Sequence, residues 1–195
     1  AMGLLTGTTA SSASRVCIGS KSPLTGGIKE SNAGGITAMR LAQLGLKAII
    51  IEDIPEDDQW HYIKVGKNTC SLEPADQYLG MGTFEFCQKM LEKYPDSAVS
   101  CIGPGGERLY NAAGIATMDK EKKPNRYSGR GGLGAVMGSK KIKGIVVIDK
   151  EDIRIADKEK YKEALKEYST TINEAPSTLG YKTLGTSGVA RLTNS

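Results

Sequence analysis

Histidine is almost missing from this chain of 195 residues: His61 is the only one. The four cysteines, Cys17, Cys70, Cys87 and Cys101, are scattered, with no CxxC pair among them. Structural zinc and iron-sulfur sites need several closely spaced thiolate or imidazole ligands, so a protein-only site of either kind is not expected within the chain. A cysteine nucleophile is disfavoured on the same ground, because a reactive thiolate needs a basic partner. The thiols are expected to be reduced and partly buried, as in a cytoplasmic protein. Long hydrophobic runs are missing too. The longest, Lys47-Ala48-Ile49-Ile50-Ile51 and Gly144-Ile145-Val146-Val147-Ile148, are strand-sized and far too short to cross a bilayer. Gly3-Leu4-Leu5-Thr6-Gly7 has neither the charged flank nor the apolar stretch of a secretory signal, and Ala1-Met2 read as a remnant ahead of an internal start. Aromatic residues make up 6% of the chain, and no RRM, KH, zinc-finger or helix-turn-helix pattern occurs, so no nucleic-acid partner is expected.

What is present is the composition of a globular domain, 39% apolar and 25% charged. The net charge of +4 is modest, but Lys120, Lys122, Lys123, Arg126, Arg130, Lys140, Lys141 and Lys143 concentrate in one stretch. They form either a solvated face or an anion site, the second because they interleave with glycines.

Short β-rich runs outnumber helices. Strands are expected near Val16–Lys21, Lys47–Glu52, His61–Val65, Thr69–Leu72, Ala98–Ile102 and Lys143–Asp149. Helices are expected over Gly35–Leu44 and Thr83–Tyr94, the latter with Phe84, Cys87 and Leu91 on one face. This pattern gives an α+β, β-rich fold rather than strict βαβ alternation. A third amphipathic helix is expected over Asp157–Ile172, with Tyr161, Leu165, Tyr168 and Ile172 on its stripe. Pro176–Ser195, rich in Ser, Thr and Gly, reads as a linker. The division is therefore 3–150 for the main domain and 151–195 for the helix and linker. Trp60 and His61, beside Glu56-Asp57-Asp58, read as an exposed hairpin edge, and Glu107 as a structural carboxylate.

Three loops carry the functional signal. Arg15 stands where a small polar run, Thr8–Ser14, meets a strand, and its guanidinium offers fixed N–H donors to a planar anion. Ser31-Asn32-Ala33-Gly34-Gly35 precedes a helix, where it serves either as a capping turn or as a close-approach site for a ligand. The third runs from Asn125 through Arg126, Tyr127, Ser128, Gly129 and Arg130 to Lys140, with five glycines after Ser128, and suggests close backbone approach to an anion. It contains a formal GxGxxG at Gly129, Gly131 and Gly134, but no hydrophobic strand precedes it, and Gly138-Ser139-Lys140 lacks the residue order of a Walker A loop.

Taken in this order, with Ser20-Lys21-Ser22-Pro23-Leu24-Thr25-Gly26, Ile102-Gly103-Pro104-Gly105-Gly106-Glu107 and, as the most specific block, Gly129–Lys140, the loops resemble the N-terminal domain of the aldehyde:ferredoxin oxidoreductase family. The resemblance covers most of residues 3–150. It implies a base domain of two sheets, here incomplete at its N-terminus, that binds tungstopterin, a bis-pterin tungsten cofactor, with Mg2+ bridging the pterin phosphates. By position it implies pterin contacts from Arg15, Gly34, Arg126 and Gly129, and a hold on the magnesium-phosphate unit from Asn32 and the main chain of Tyr127. The implied reaction oxidises an aldehyde to a carboxylic acid, with a [4Fe-4S] cluster whose ligands lie outside this chain and ferredoxin as electron acceptor. Small aldehydes and ferredoxin are thus the implied partners. A homodimer of the full-length protein is compatible, and residues 151–195 would lead toward helical domains absent from the chain. The chain alone is expected to be inactive. The alternative is a non-catalytic phosphate- or nucleotide-binding module built on Gly129–Lys140. Ser11-Ser12-Ala13-Ser14 and the bulky Tyr127-Ser128 depart from the family pattern.

Overall fold

Alternation of apolar and polar residues with period two, broken at Ser22–Gly27, folds the first third of the chain into a hairpin. Strand β1 (Arg15–Lys21) pairs antiparallel with β2 (Ile28–Gly34) over seven residues. The structure, a computed structural model, describes residues 1–190. Val16 and Ala33 point inward, while Arg15 and Asn32 lie on the outward face. Ser31–Gly34, expected as a turn, is therefore the end of a strand. Its partner is supplied from across the hairpin, which local sequence does not show. Helix α1 (Ile36–Gln43) follows at once. Gly35 between them has φ 127, and a Cβ there would stand 2.5 Å from the Met118 carbonyl oxygen, so this glycine answers to the fold itself.

The second sheet has six strands in the order β4-β3-β8-β5-β6-β7. They are β3 (His61–Val65), β4 (Cys70–Pro74), β5 (Ala98–Cys101), β6 (Ile115–Thr117), β7 (Arg126–Ser128) and β8 (Ile142–Val147). Only the β3–β8 pair is parallel. The helices of this region are α2 (Thr83–Lys93), the single turn α3 (Pro104–Glu107) and α4 (Leu133–Ser139). The α+β, two-sheet expectation holds.

Central β8 is buried along almost its whole length, as its apolar run predicts. Helix α2 packs through Phe86, Cys87 and Met90, all buried, whereas Phe84 is 57% exposed. The expected face of Phe84, Cys87 and Leu91 is thus rotated by about a quarter turn, with Cys87 common to both. The site that decides it is Gly144 on β8, where a Cβ would meet the Phe86 ring at 2.8 Å: the bare backbone is the socket for that ring.

Lys47–Glu52 is not a strand, although its residues favour one. A strand needs a ladder, and this segment has only one tie to its neighbour, the Met2 N–H donating to the Lys47 carbonyl. Met2 also bridges Val16, so the first two residues, left out of the sequence reading, take part in the fold. Trp60 and His61 are not an exposed edge either. Trp60 is 8% exposed, under the Lys141 ammonium, and β3 lies between β4 and β8.

The chain divides into two compact units, Ala1–Ile153 and Arg154–Ser195. The second contains α5 (Lys158–Glu174), capped by the Asp157 carboxylate on the Lys160 N–H. Its Tyr161, Leu165 and Ile172 are half-buried. Pro176–Leu184, expected within a linker, is a further helix, α6, begun by proline at its first position. The end of that linker, residues 191–195, lies outside the described residues.

Asp96, in a left-handed turn at φ 69, gathers Arg40 at 3.0 Å, Lys122 at 3.1 Å and Lys150 at 2.9 Å. Lys150, then Arg40 and Lys122, hold its carboxyl well below the usual carboxylate range. A folded-state pKa below the unfolded one adds stability that is full above the unfolded value, about 3.9, and fades as pH falls through the folded one. Because the side chain is half-exposed, the contribution is about 1 kcal/mol after screening. Asp96→Asn is therefore expected to lower stability by that amount at pH 7 and by progressively less below pH 4. Urea midpoints of both proteins across pH 2–7 would measure it.

Candidate functional site

The outward face of the β1–β2 hairpin presents Arg15, Cys17, Glu30, Asn32 and Gly34, because paired residues of an antiparallel ladder share a face: Arg15 opposes Gly34, and Cys17 opposes Asn32. The glycine-rich segment is tied to this hairpin at two points. Ser31, buried, accepts from the Arg130 N–H at 3.2 Å through its hydroxyl, and the Ser22 hydroxyl donates to the Gly131 carbonyl at 2.7 Å. These ties close a polar cleft of about 570 Å³ lined by Arg15, Glu30, Ser31, Asn32, Tyr127, Gly129 and Arg130.

Two positive groups line the cleft without an ion-pair partner among the described residues. Among the described residues, neither the Arg15 nor the Arg130 guanidinium has a hydrogen-bond or ion-pair partner. Asn32 donates through Nδ2 to Glu30, which leaves Oδ1 with no partner among the described residues. The Tyr127 ring is half-exposed, its hydroxyl 3.4 Å from that of Thr83. Since β7 is the edge strand, one side of its backbone has no strand neighbour. Beside Asn32, the Cys17 thiol is raised by burial and then by the Glu30 carboxylate, so it stays protonated at neutral pH.

The glycines of the third loop separate into two kinds. At Gly131, φ is 75 and a Cβ would collide with the Lys29 stem. At Gly132, φ is 69 and a Cβ would stand 2.0 Å from the Asn111 carbonyl. At Gly134 and Gly138 it would strike the Gly114 and Gly106 carbonyls at 2.4 and 2.1 Å. These four glycines are used by the chain's own packing. Gly129 and Gly34 differ: a Cβ at either would have nothing within 4 Å, and neither has positive φ. The fold has no use for a glycine at those two positions, and both adjoin the cleft. Gly132→Ala is expected to lose about 3 kcal/mol from backbone strain and overpacking. Gly129→Ala is expected to fall within about 0.5 kcal/mol of the parent. Thermal unfolding of the two variants would check the contrast.

Of the six residues singled out in the sequence, Arg15, Asn32, Tyr127 and Gly129 line the cleft, and Gly34 faces Arg15 across the ladder. Arg126 is outside the lining. It alternates with Tyr127 along β7, and its charge acts on Asp119. Glu30 and the place of Arg130 were missed. Glu30 follows once β2 is taken as a strand, since Glu30, Asn32 and Gly34 then fall on one face at period two, whereas Arg130 is placed by the long-range tie of its N–H to Ser31.

The basic stretch is not one patch. Lys143 is fully buried with Glu107, Lys122 binds Asp96, Lys141 binds Asp58, and Lys140 donates to the Asp53 carbonyl. Among the described residues no three His, Cys, Asp or Glu side chains gather as a metal site, and no helix is long and apolar enough to span a membrane.

The chain is similar to known proteins. The tungsten-containing aldehyde ferredoxin oxidoreductase of Pyrococcus horikoshii is 35% identical over 178 residues, which cover 90% of this chain and 28% of that protein. The aliphatic sulfonate oxidoreductase, WOR-like subunit, of Pyrococcus furiosus is 29% identical over 169 residues, covering 79% of this chain and 26% of that one. Among solved structures, the active site complex BamBC of benzoyl coenzyme A reductase, in complex with 1,5-dienoyl-CoA, superposes with a TM-score of 0.81 at 28% identity, over 89% of this chain and 26% of its own. The chain thus spans little more than a quarter of the length of these relatives. The model of the family described as aldehyde ferredoxin oxidoreductase, N-terminal domain, matches residues 1–149, and the chain belongs to that family.

Proposed function

We propose that this chain is the cofactor-binding part of a tungsten-pterin oxidoreductase that oxidises aldehydes to carboxylic acids with ferredoxin as electron acceptor. The observation that carries this reading is the cleft: two guanidiniums without ion-pair partners, Arg15 and Arg130, with Gly129 in its lining and Gly34 opposite Arg15, two glycines that the fold itself does not need. That arrangement suits a planar, phosphate-bearing ligand, since guanidinium binds phosphate oxygens in pairs and bare backbone lets the ring approach. Arg15, Gly34 and Gly129 would contact pterin. The Asn32 Oδ1 and the Tyr127 carbonyl would hold Mg2+ against the pterin phosphates, oxygen donors being what that ion takes. Arg126 belongs to the same carried-over set and has the least support from the geometry. When bound, the tungsten centre supplies the two-electron chemistry. The residues of this chain position and neutralise its pterin phosphates. The [4Fe-4S] cluster would take its ligands from outside this chain, and the relatives' names support an aldehyde-type substrate.

The alternative, a nucleotide module on Gly129–Lys140, is disfavoured by the sheet topology around the loop. Strand β7 runs antiparallel to β8 and is not beside it, so no βαβ unit surrounds the loop, and Gly131 and Gly134 are occupied by Lys29 and Gly114.

The test is elemental and pterin analysis of the full-length protein purified anaerobically from a host that makes the cofactor. Tungsten with pterin supports the reading, and folded protein with neither would overturn it. In the same protein, Gly34→Ala and Gly129→Ala are expected to keep the thermal midpoint and lower pterin content several-fold. Unchanged pterin in both would remove these glycines from the site.

A further inference from the structure

Two thiols outside the cleft have no part in the function proposed above. Cys87 on α2 and Cys101 at the end of β5 are both buried, and their sulfurs stand 3.8 Å apart across the helix–sheet interface, fourteen positions apart in sequence. That is van der Waals contact between sulfurs. The Cys101 sulfur also lies 3.9 Å from the carbonyl oxygen of Thr83, the first residue of α2. Helix and strand are held together here by side chains alone, with Phe86 seated on Gly144 beside Cys87. The pair is not part of a metal site, since no third His, Cys, Asp or Glu joins it among the described residues.

We propose that Cys87 and Cys101 are a latent disulfide that closes when the folded protein meets a low-molecular-weight disulfide oxidant. Two S–H bonds break and one S–S bond forms. Two electrons and, by way of solvent, the two protons pass to the oxidant's disulfide and convert it to a pair of thiols, through one mixed disulfide on the way. A disulfide needs its sulfurs at about 2.05 Å, so side-chain rotation with a small approach of α2 to β5 closes the gap. The contact with Cys87, then burial, pushes the Cys101 thiol up, which keeps the pair reduced and makes closure wait on opening of α2. The new bond pins the helix whose first residue, Thr83, reaches the Tyr127 hydroxyl at the cleft wall.

Cys70 supplies an internal standard, because it is exposed and reacts without any opening. The folded full-length protein is incubated with oxidised glutathione, alkylated, digested and mapped by mass spectrometry. Cys70 is expected to take glutathione first. Cys87 and Cys101 are then expected to be lost as free thiols and to appear as one crosslinked peptide pair lighter by two hydrogens, restored by reductant. Cys87→Ser is expected to abolish the crosslink while leaving the Cys70 adduct. The proposal is overturned if Cys70 is fully modified while Cys87 and Cys101 remain free thiols or carry separate adducts. It is equally overturned if the crosslink forms only after unfolding in urea.

Discussion

Replacing Lys143 with alanine is expected to lower the stability of the domain by about 3–5 kcal/mol, the largest effect of any single truncation considered for this chain. The Lys143 side chain is fully buried and that of Glu107 is 10% exposed. The ammonium donates to Glu107 and, at 2.9 Å, to the Met81 carbonyl, and it stands 5.6 Å from the centre of the Phe86 ring. The other oxygen of Glu107 accepts from the Gly80 N–H at 2.9 Å. Removing the lysine strands a carboxylate in the interior and releases the turn that leads into α2. Replacing both partners by methionine is expected to recover most of the loss, because the cost comes from the uncompensated charge and not from a missing attraction. Urea unfolding followed by the fluorescence of Trp60, the chain's one tryptophan, would measure both.

The second large effect concerns the cleft. In the full-length protein, Arg15→Ala and Arg130→Ala are each expected to lower tungsten and pterin content by about 10- to 100-fold, the equivalent of one or two charge-assisted hydrogen bonds at ~1.5–3 kcal/mol. Arg15→Lys is expected to recover little, since a point charge does not reproduce a planar fork of donors. Neither guanidinium has a partner among the described residues, so the unfolding free energy should change by less than about 0.5 kcal/mol. Cofactor retained at the parent level in both variants would separate this cleft from pterin binding. A loss of folding in either would show that its guanidinium serves the fold.

These two cases differ in how legible they were. Lys143 and Glu107 belong to separate sequence blocks, and nothing in either block announces a buried ion pair. Arg15, Asn32 and the glycine-rich stretch could be singled out because together, in this order, they resemble blocks of one family, although each alone also suits a surface arginine, a capping turn or a packed turn. The rotation of the α2 face shows the usual reason for an error: the periodicity of the helix was read correctly, but Gly144, sixty positions beyond its start, decides where an aromatic ring can sit. The Lys47–Glu52 segment shows another. Its composition favours a strand, but a strand exists only where a neighbour completes the hydrogen bonds.

The sequence by itself determined the α+β class, the hydrophobic strands β3, β5 and β8, the helices α1, α2 and α5, and the three segments around the candidate site, though not their conformation. All of these are set by local periodicity and residue type. Tertiary structure alone decided that Ser31–Gly34 is a strand facing Arg15, and that Glu30 and Arg130 share the cleft. It also decided that Gly131, Gly132, Gly134 and Gly138 serve packing while Gly34 and Gly129 face open space. A glycine has the same local signature whether its missing side chain makes room for the protein's own backbone or for a ligand, and only the atoms opposite it distinguish the two.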